Sequence, residues 1–150
     1  MIWIIDDDVE FAQTVERQLI SSFRLCHKRA TGTFDGAEGS DNLKELIGCR
    51  SVNEKLQIRH FTNAIEAISC QEVPDLIFLD ILLDGPDGFT FLNELRSYED
   101  LSKVPVVIMS SLNFRNKDLG AYGVVGYLNK SEMTPTDVMG YVRKYARSKD

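Results

Sequence analysis

An α/β domain, a parallel sheet covered by helices on both faces, is predicted by three observations. Five short strand-like runs (1–5, 56–61, 76–79, 104–109 and 124–128) alternate with segments whose apolar residues recur at helical spacing. Two of the runs stop at acid: Met1-Ile2-Trp3-Ile4-Ile5 runs into Asp6-Asp7-Asp8, and Leu76-Ile77-Phe78-Leu79 into Asp80. Ser110 and Lys130 follow two further runs. Four segments thus deliver polar groups to the carboxyl ends of the strands, where open α/β sheets bind their ligands.

The elements follow in order. The first strand is continuously apolar, as a strand buried on both faces requires, and Trp3 is expected inside it. Asp8 is read as the N-cap of a helix from Val9 to about Phe23, with Val9, Ala12, Val15, Leu19 and Ile20 on its inner face. Between Arg24 and Lys55 the pattern is weaker: a basic cluster (Arg24, His27, Lys28, Arg29), a Gly-rich acidic loop over 31–42, and a short helix over 43–47 stopped by Gly48. The run 56–61 alternates, as in a half-exposed strand. Asn63 starts a helix over 64–71 that ends before Pro74, and 76–79 is a buried strand. Residues 84–88 form a turn served by Asp84 and Asp87, and 89–98 a helix with Phe89, Leu92 and Leu95 inward. After the strand at 104–109 comes a short, weak helix over 113–120, then the strand 124–128. Thr134-Pro135 opens a last helix to about 147, with Val138, Tyr141, Val142 and Tyr145 inward.

Bulk properties exclude several functions. The 150 residues are 43% hydrophobic, enough for one core, and carry a net charge of -6, which disfavours direct binding to a nucleic-acid backbone. No apolar stretch approaches the roughly 20 residues needed to span a bilayer, and no secretory signal is legible. Three cysteines, Cys26, Cys49 and Cys70, form no CxxC pair. They fit free thiols in a reducing cytoplasm better than a disulfide frame or a zinc site. His27 and His60 are read as surface or strand residues.

If the first and third strands lie parallel and adjacent, Asp6, Asp7 and Asp80 meet at one edge. Clustered carboxylates repel, and their hard oxygens suit Mg2+. A carboxylate beside such an ion can also accept a phosphoryl group.

These residues resemble the receiver domain of two-component response regulators, the flavodoxin-like family that includes the chemotaxis protein CheY. The resemblance rests on Asp6-Asp7 after the first strand, on Asp80-Ile-Leu-Leu-Asp-Gly-Pro-Asp-Gly88, on Ser110 closing Val-Val-Ile-Met-Ser, and on Tyr127 and Lys130 in Gly-Tyr-Leu-Asn-Lys. It covers residues 1–22 and 56–147. It implies a doubly wound five-stranded sheet of order 2-1-3-4-5 and a single receiver domain over 1–150, with no output domain in this chain. It implies Asp80 as the phosphoacceptor. Mg2+ would be held by Asp7, Asp80 and the backbone carbonyl of Leu82, and by Asp6 through water. Lys130 and Ser110 would bind the phosphoryl group, and Tyr127 would be the switch aromatic. The implied donor is a sensor histidine kinase or a histidine phosphotransfer protein. The implied output is a surface of the last two helices and last strand that engages a downstream protein.

Four departures stand out. Asp84 and Ser131 replace prolines common in the family, and the second of these normally follows a cis bond. A cis bond to serine costs about 2.5–4 kcal/mol, so either a strained cis Lys130–Ser131 or a trans loop that displaces Lys130 slightly is expected. The stretch between Ser110 and Lys130 is shorter than usual. The spacing from Asp7 to Asp80 is longer, which places an insert over about 24–55, expected to serve as a partner-specific contact surface. Leu82 and Leu112 flank the site where the family controls attacking water, so a long-lived acyl phosphate is expected. Two other functions compete. A pseudo-receiver would bind partners without phosphorylation. A phosphatase of the haloacid-dehalogenase type would use Asp6 as nucleophile and Asp8 as general acid, leaving Asp80 unexplained.

Overall fold

The computed structural model describes residues 1–30, 56–83, 87–112 and 120–146, with the side chains of the first helix described as far as Arg24. The Gly-rich loop over 31–42, the short helix expected over 43–47, Asp84, and nearly all of the weak helix expected over 113–120 lie outside the described residues.

The strands are β1 (Ile2–Ile5), β2 (Ile58–Phe61), β3 (Leu76–Asp80), β4 (Val106–Ser110) and β5 (Val124–Asn129). The helices are α1 (Val9–Ala30), α2 (Ala64–Ser69), α3 (Gly88–Leu95) and α4 (Pro135–Tyr145), with 3-10 turns at Leu101–Lys103 and Gly120–Tyr122. The strands form one five-stranded sheet in the order β2-β1-β3-β4-β5, and every pairing is parallel. This is the flavodoxin-like arrangement. Strand order reverses between β1 and β3, so the crevice beyond their carboxyl ends is the switch point of the sheet.

Side chains alternate across the sheet and feed two cores. Trp3, Ile5, Ile77, Leu79, Val106 and Ile108 pack with Ala64 and Ala67 of α2 and Phe91, Leu92 and Leu95 of α3. On the other face Ile2, Ile4, Leu76, Phe78, Val107 and Met109 pack with Ala12, Val15 and Leu19 of α1 and Val138, Met139 and Val142 of α4. Trp3 is fully buried and meets Phe61 edge-to-face at 5.1 Å. Burial on both faces explains why β1 and β3 read as unbroken apolar runs.

Several element bounds differ from the sequence reading. Helix α1 does not stop near Phe23 but runs to Ala30, through the basic cluster. After Asp8 the first glycine is Gly32 and no proline intervenes, so nothing in the chain breaks the helix earlier. Val9 is not on the inner face; it is 42% exposed at the first turn. Helix α2 ends at Ser69, because Cys70 turns extended and closes the last turn with its N–H on the Ala67 carbonyl. Helix α3 ends at Leu95, and its chain leaves through tight turns in which Ser97 and Tyr98 donate to the carbonyls of Glu94 and Leu95. Gly88 and Phe91 join its buried face.

Capping fixes the helix starts. Asp8 Oδ1 accepts the Phe11 N–H at 3.0 Å, so Asp8 is a cap. Asp87 accepts both the N–H and the hydroxyl of Thr90, and these bonds, the backbone one foremost, hold its carboxyl below the usual carboxylate range. Thr134 and Asp137 form a reciprocal capping box at α4.

Gly88 ties α3 to the end of β3. Its N–H donates to the Ile81 carbonyl at 3.0 Å, and a Cβ there would lie 2.7 Å from Ile81 Cα and 2.9 Å from the Asp80 carbonyl oxygen. These are backbone atoms with little room to move. Gly88→Ala is therefore expected to destabilise the fold by about 1–3 kcal/mol, read as a lower urea midpoint at unchanged slope.

Candidate functional site

The parallel register converts sequence position into proximity. Ile5 pairs with Leu79, and Asp80 with Met109, while Ser110 pairs with Asn129. The next residues, Asp6 after β1 and Lys130 after β5, therefore reach the same edge as Asp80 and Ser110. The Lys130 N–H donates to the Ser110 carbonyl at 3.1 Å, extending the β4–β5 ladder by one step.

At this edge one carboxylate oxygen from each of Asp6, Asp7 and Asp80 lies within 4.8 Å of the other two. Asp6 is fully buried and Asp80 is 4% exposed, whereas Asp7 is half-buried. Asp6 Oδ1 accepts the Asp8 N–H at 2.9 Å, and its Oδ2 stands 2.7 Å from Lys130 Nζ. Asp80 Oδ1 accepts the Leu82 N–H at 3.0 Å, and its Oδ2 accepts from Lys130 Nζ at 3.0 Å. One ammonium thus bridges two buried carboxylates that come from different strands. Ser110 is buried, and its Oγ accepts the Leu112 N–H at 3.2 Å. Leu82 and Leu112 are each 49% exposed beside the notch. Tyr127 is 37% exposed on β5.

Burial pushes the Asp6 carboxyl above the usual 3.8, against the lowering hydrogen bond from Lys130. Burial also works against the Lys130 charge, but its hydrogen bonds to Asp6 and Asp80 outweigh that and raise it above 10.5.

The donor set fits a hard divalent cation. Around octahedral Mg2+ adjacent oxygens stand about 3.0 Å apart and opposite ones about 4.2 Å, and three oxygens none more than 4.8 Å from another are of the size that such an ion gathers. Asp6 and Asp80 each keep one oxygen on Lys130 and one on a backbone N–H, and two lone pairs per oxygen leave room for a further contact.

The loop after β5 is trans throughout, since no cis peptide occurs among the described residues. Of the two outcomes expected for Lys130–Ser131, it is the trans loop that forms, and Lys130 nonetheless reaches both carboxylates. Asn129 is the local reason. Its Oδ1 accepts the Ser131 N–H at 2.8 Å, and its carbonyl accepts the N–H groups of Glu132 and Met133. This Asx turn shapes the chain around Lys130.

Three contributors escaped the sequence reading. Asn129 shapes that loop. His60 Nε2 lies 2.9 Å from the Asp6 carbonyl oxygen, a contact that requires Nε2 to carry its proton. Phe11 places its ring 4.5 Å from Lys130 Nζ. An Asn two residues before Ser131 is the only one of these with a local sequence signal; the other two depend on register and on helix orientation.

A doubly wound parallel sheet thus gathers three carboxylates, a buried serine and a lysine at the carboxyl ends of its strands. A family model described as the response regulator receiver domain matches residues 38–143, and the chain belongs to that family. The match begins after β1, so the place of Asp6 and Asp7 in the site rests on the β1–β3 register. The two-component response regulator ARR16 of Arabidopsis thaliana is 32% identical over 110 residues, which cover 73% of this chain and 57% of that protein. Across the curated relatives the chain matches, the aligned stretch spans 11% to 57% of their own length. Among solved structures, a response regulator from Chloroflexus aurantiacus superposes with a TM-score of 0.64 at 21% identity, covering 95% of this chain and 93% of that one. The receiver domain of sensor histidine kinase PA1611 from Pseudomonas aeruginosa, solved with magnesium coordinated in its active-site cleft, gives 0.63 at 16% identity and covers 98% of both chains. The likeness of these structures is one of fold. Among the described residues no helix is long and apolar enough to cross a membrane.

Removing the bridging ammonium leaves Asp6 and Asp80 buried without a counter-charge. Lys130→Met is expected to cost about 3 kcal/mol in metal-free protein, the low end for a broken buried pair, and Asp6→Asn in the same background should recover most of it in urea titrations. The pH dependence has a definite sign. Lys130 is raised on folding, so its contribution is complete below 10.5 and is lost as pH rises through its folded value. The wild type should show this alkaline loss in thermal melts, and Lys130→Met should not.

Proposed function

We propose that this chain is a phosphoacceptor receiver of a two-component or phosphorelay system, with Asp80 as the acceptor. The observation that carries the reading is the environment of Asp80. It is buried at the switch point, within reach of Asp6 and Asp7, with Lys130 already on its Oδ2. In this reading an Asp80 carboxylate oxygen attacks the phosphorus of a phosphohistidine. The P–N bond breaks as the P–O bond forms, and the imidazole leaves with the bonding pair. The donor is a sensor histidine kinase or a histidine phosphotransfer protein.

Asp7, Asp80 and the backbone carbonyl of Leu82 would hold Mg2+ directly, and Asp6 through water. The ion supplies positive charge that offsets the phosphoryl oxygens. Lys130 provides a point charge for one phosphoryl oxygen, and the Ser110 hydroxyl donates to another. The second contact arises only once phosphate is present, so it can draw the loop after β4 inward. Tyr127 then changes position on β5 and alters the surface offered to a downstream protein. A local charge event thus biases a two-state element. Residues 1–150 form a single receiver unit in this reading, with the excursion before β2 as a partner-specific surface, working in the cytoplasm without direct nucleic-acid contact.

Mass spectrometry after treatment with acetyl phosphate and Mg2+ tests the proposal. The wild type should gain one phosphoryl group and Asp80→Asn none. Label retained by Asp80→Asn would instead favour chemistry at Asp6, and a wild type that takes up none would favour a binding module.

Leu82 and Leu112 offer attacking water no hydrogen-bonding side chain. The acyl phosphate should therefore persist at neutral pH with Mg2+ present, and Leu82→Asn should shorten its lifetime several-fold in a time course of label loss.

A further inference from the structure

The Lys130 ammonium has a third neighbour for which the phosphoacceptor reading has no use. Its Nζ lies 4.5 Å from the centroid of the Phe11 ring, inside the roughly 6 Å range of a cation–π attraction. Phe11 stands in the first turn of α1 and is fixed there twice. Its N–H donates to Asp8 Oδ1 at 3.0 Å, and its half-buried side chain packs on the core shared by α1 and α4. The ring is therefore held by its own helix and does not merely follow the lysine.

Around the ammonium, Asp6 Oδ2 at 2.7 Å and Asp80 Oδ2 at 3.0 Å come from strand ends, and the ring comes from the helix beside them. Lysine has four rotatable side-chain bonds, and two carboxylates alone would let its head move between them and solvent. An aromatic face both attracts the charge and excludes water from one side of it. An aliphatic side chain at position 11 would fill the space without attracting the ammonium.

We propose that Phe11 is a positioning residue. Its face keeps Lys130 Nζ seated over the acidic notch, so the ammonium is in place when phosphoryl oxygens arrive at Asp80. Phe11 acts through Lys130 and touches no reacting atom. The inference rests on the role given to Lys130 in the phosphoacceptor reading.

The test compares wild type, Phe11→Leu and Phe11→Tyr. In carbon–proton NMR spectra of metal-free protein, the Lys130 methylene next to the ammonium should carry an upfield ring-current shift in wild type and Phe11→Tyr, and lose it in Phe11→Leu. Labelling of Asp80 by acetyl phosphate and Mg2+ should slow about 3- to 10-fold in Phe11→Leu and return close to the wild-type rate in Phe11→Tyr. A purely structural role would not follow the aromatic character of the side chain. Phe11→Leu labelling at the wild-type rate overturns the inference, and so does Phe11→Tyr that keeps the shift yet labels as slowly as Phe11→Leu. Wild type is read in the same assay: no label on it overturns the phosphoacceptor reading, whereas label without dependence on residue 11 overturns only the role of Phe11.

Discussion

The constraint on which the site depends is the burial of two carboxylates side by side. Asp6 is wholly buried and Asp80 nearly so. Taking two negative charges out of water a few ångströms apart is unfavourable unless a cation is shared between them. In this molecule the cation is Lys130, delivered from the far edge strand β5 by a hydrogen bond to β4. The sheet order matters for this reason. β3 lies centrally between β1 and β4, and only a parallel arrangement sends the carboxyl ends of β1, β3, β4 and β5 to one edge. Acids, serine and lysine scattered along the chain become one site through register alone.

Much of this was legible in the sequence because the relevant signals are local. Unbroken apolar runs marked β1 and β3, and the acids that stop them marked the site. Asp8, Asn63 and Thr134 announced helix starts through side chains that cap the first turn. Less legible were features set by packing between distant segments. Val9 fits the period of the inner face, yet it is the first residue of α1 and lies exposed. The basic cluster after Phe23 looks like a change of segment, yet α1 runs through it to Ala30, because charge alone does not terminate a helix. Phe11 and His60 carry no local mark of their contacts with Lys130 and Asp6, which arise from helix rotation and strand pairing.

The loop after β5 is shaped by a side-chain turn. Of the cis and trans alternatives expected at Lys130–Ser131, the trans bond forms. Asn129 binds the Ser131 N–H with its side chain and two further N–H groups with its carbonyl. The lysine keeps its reach because its position is set on one side by the β4 ladder and on the other by that turn. Position 131 is thereby released from supplying the bend itself.

The burial of Trp3 has a practical consequence. It is the only tryptophan in the chain, and it sits on β1 three residues before Asp6, with no water-accessible surface and, among the described residues, no hydrogen-bond partner for its indole N–H. Its emission therefore arises from one dry environment between β1 and the α2 and α3 face. Intrinsic fluorescence of the unlabelled protein would report on the strand that holds the acidic pair, without interference from a second indole.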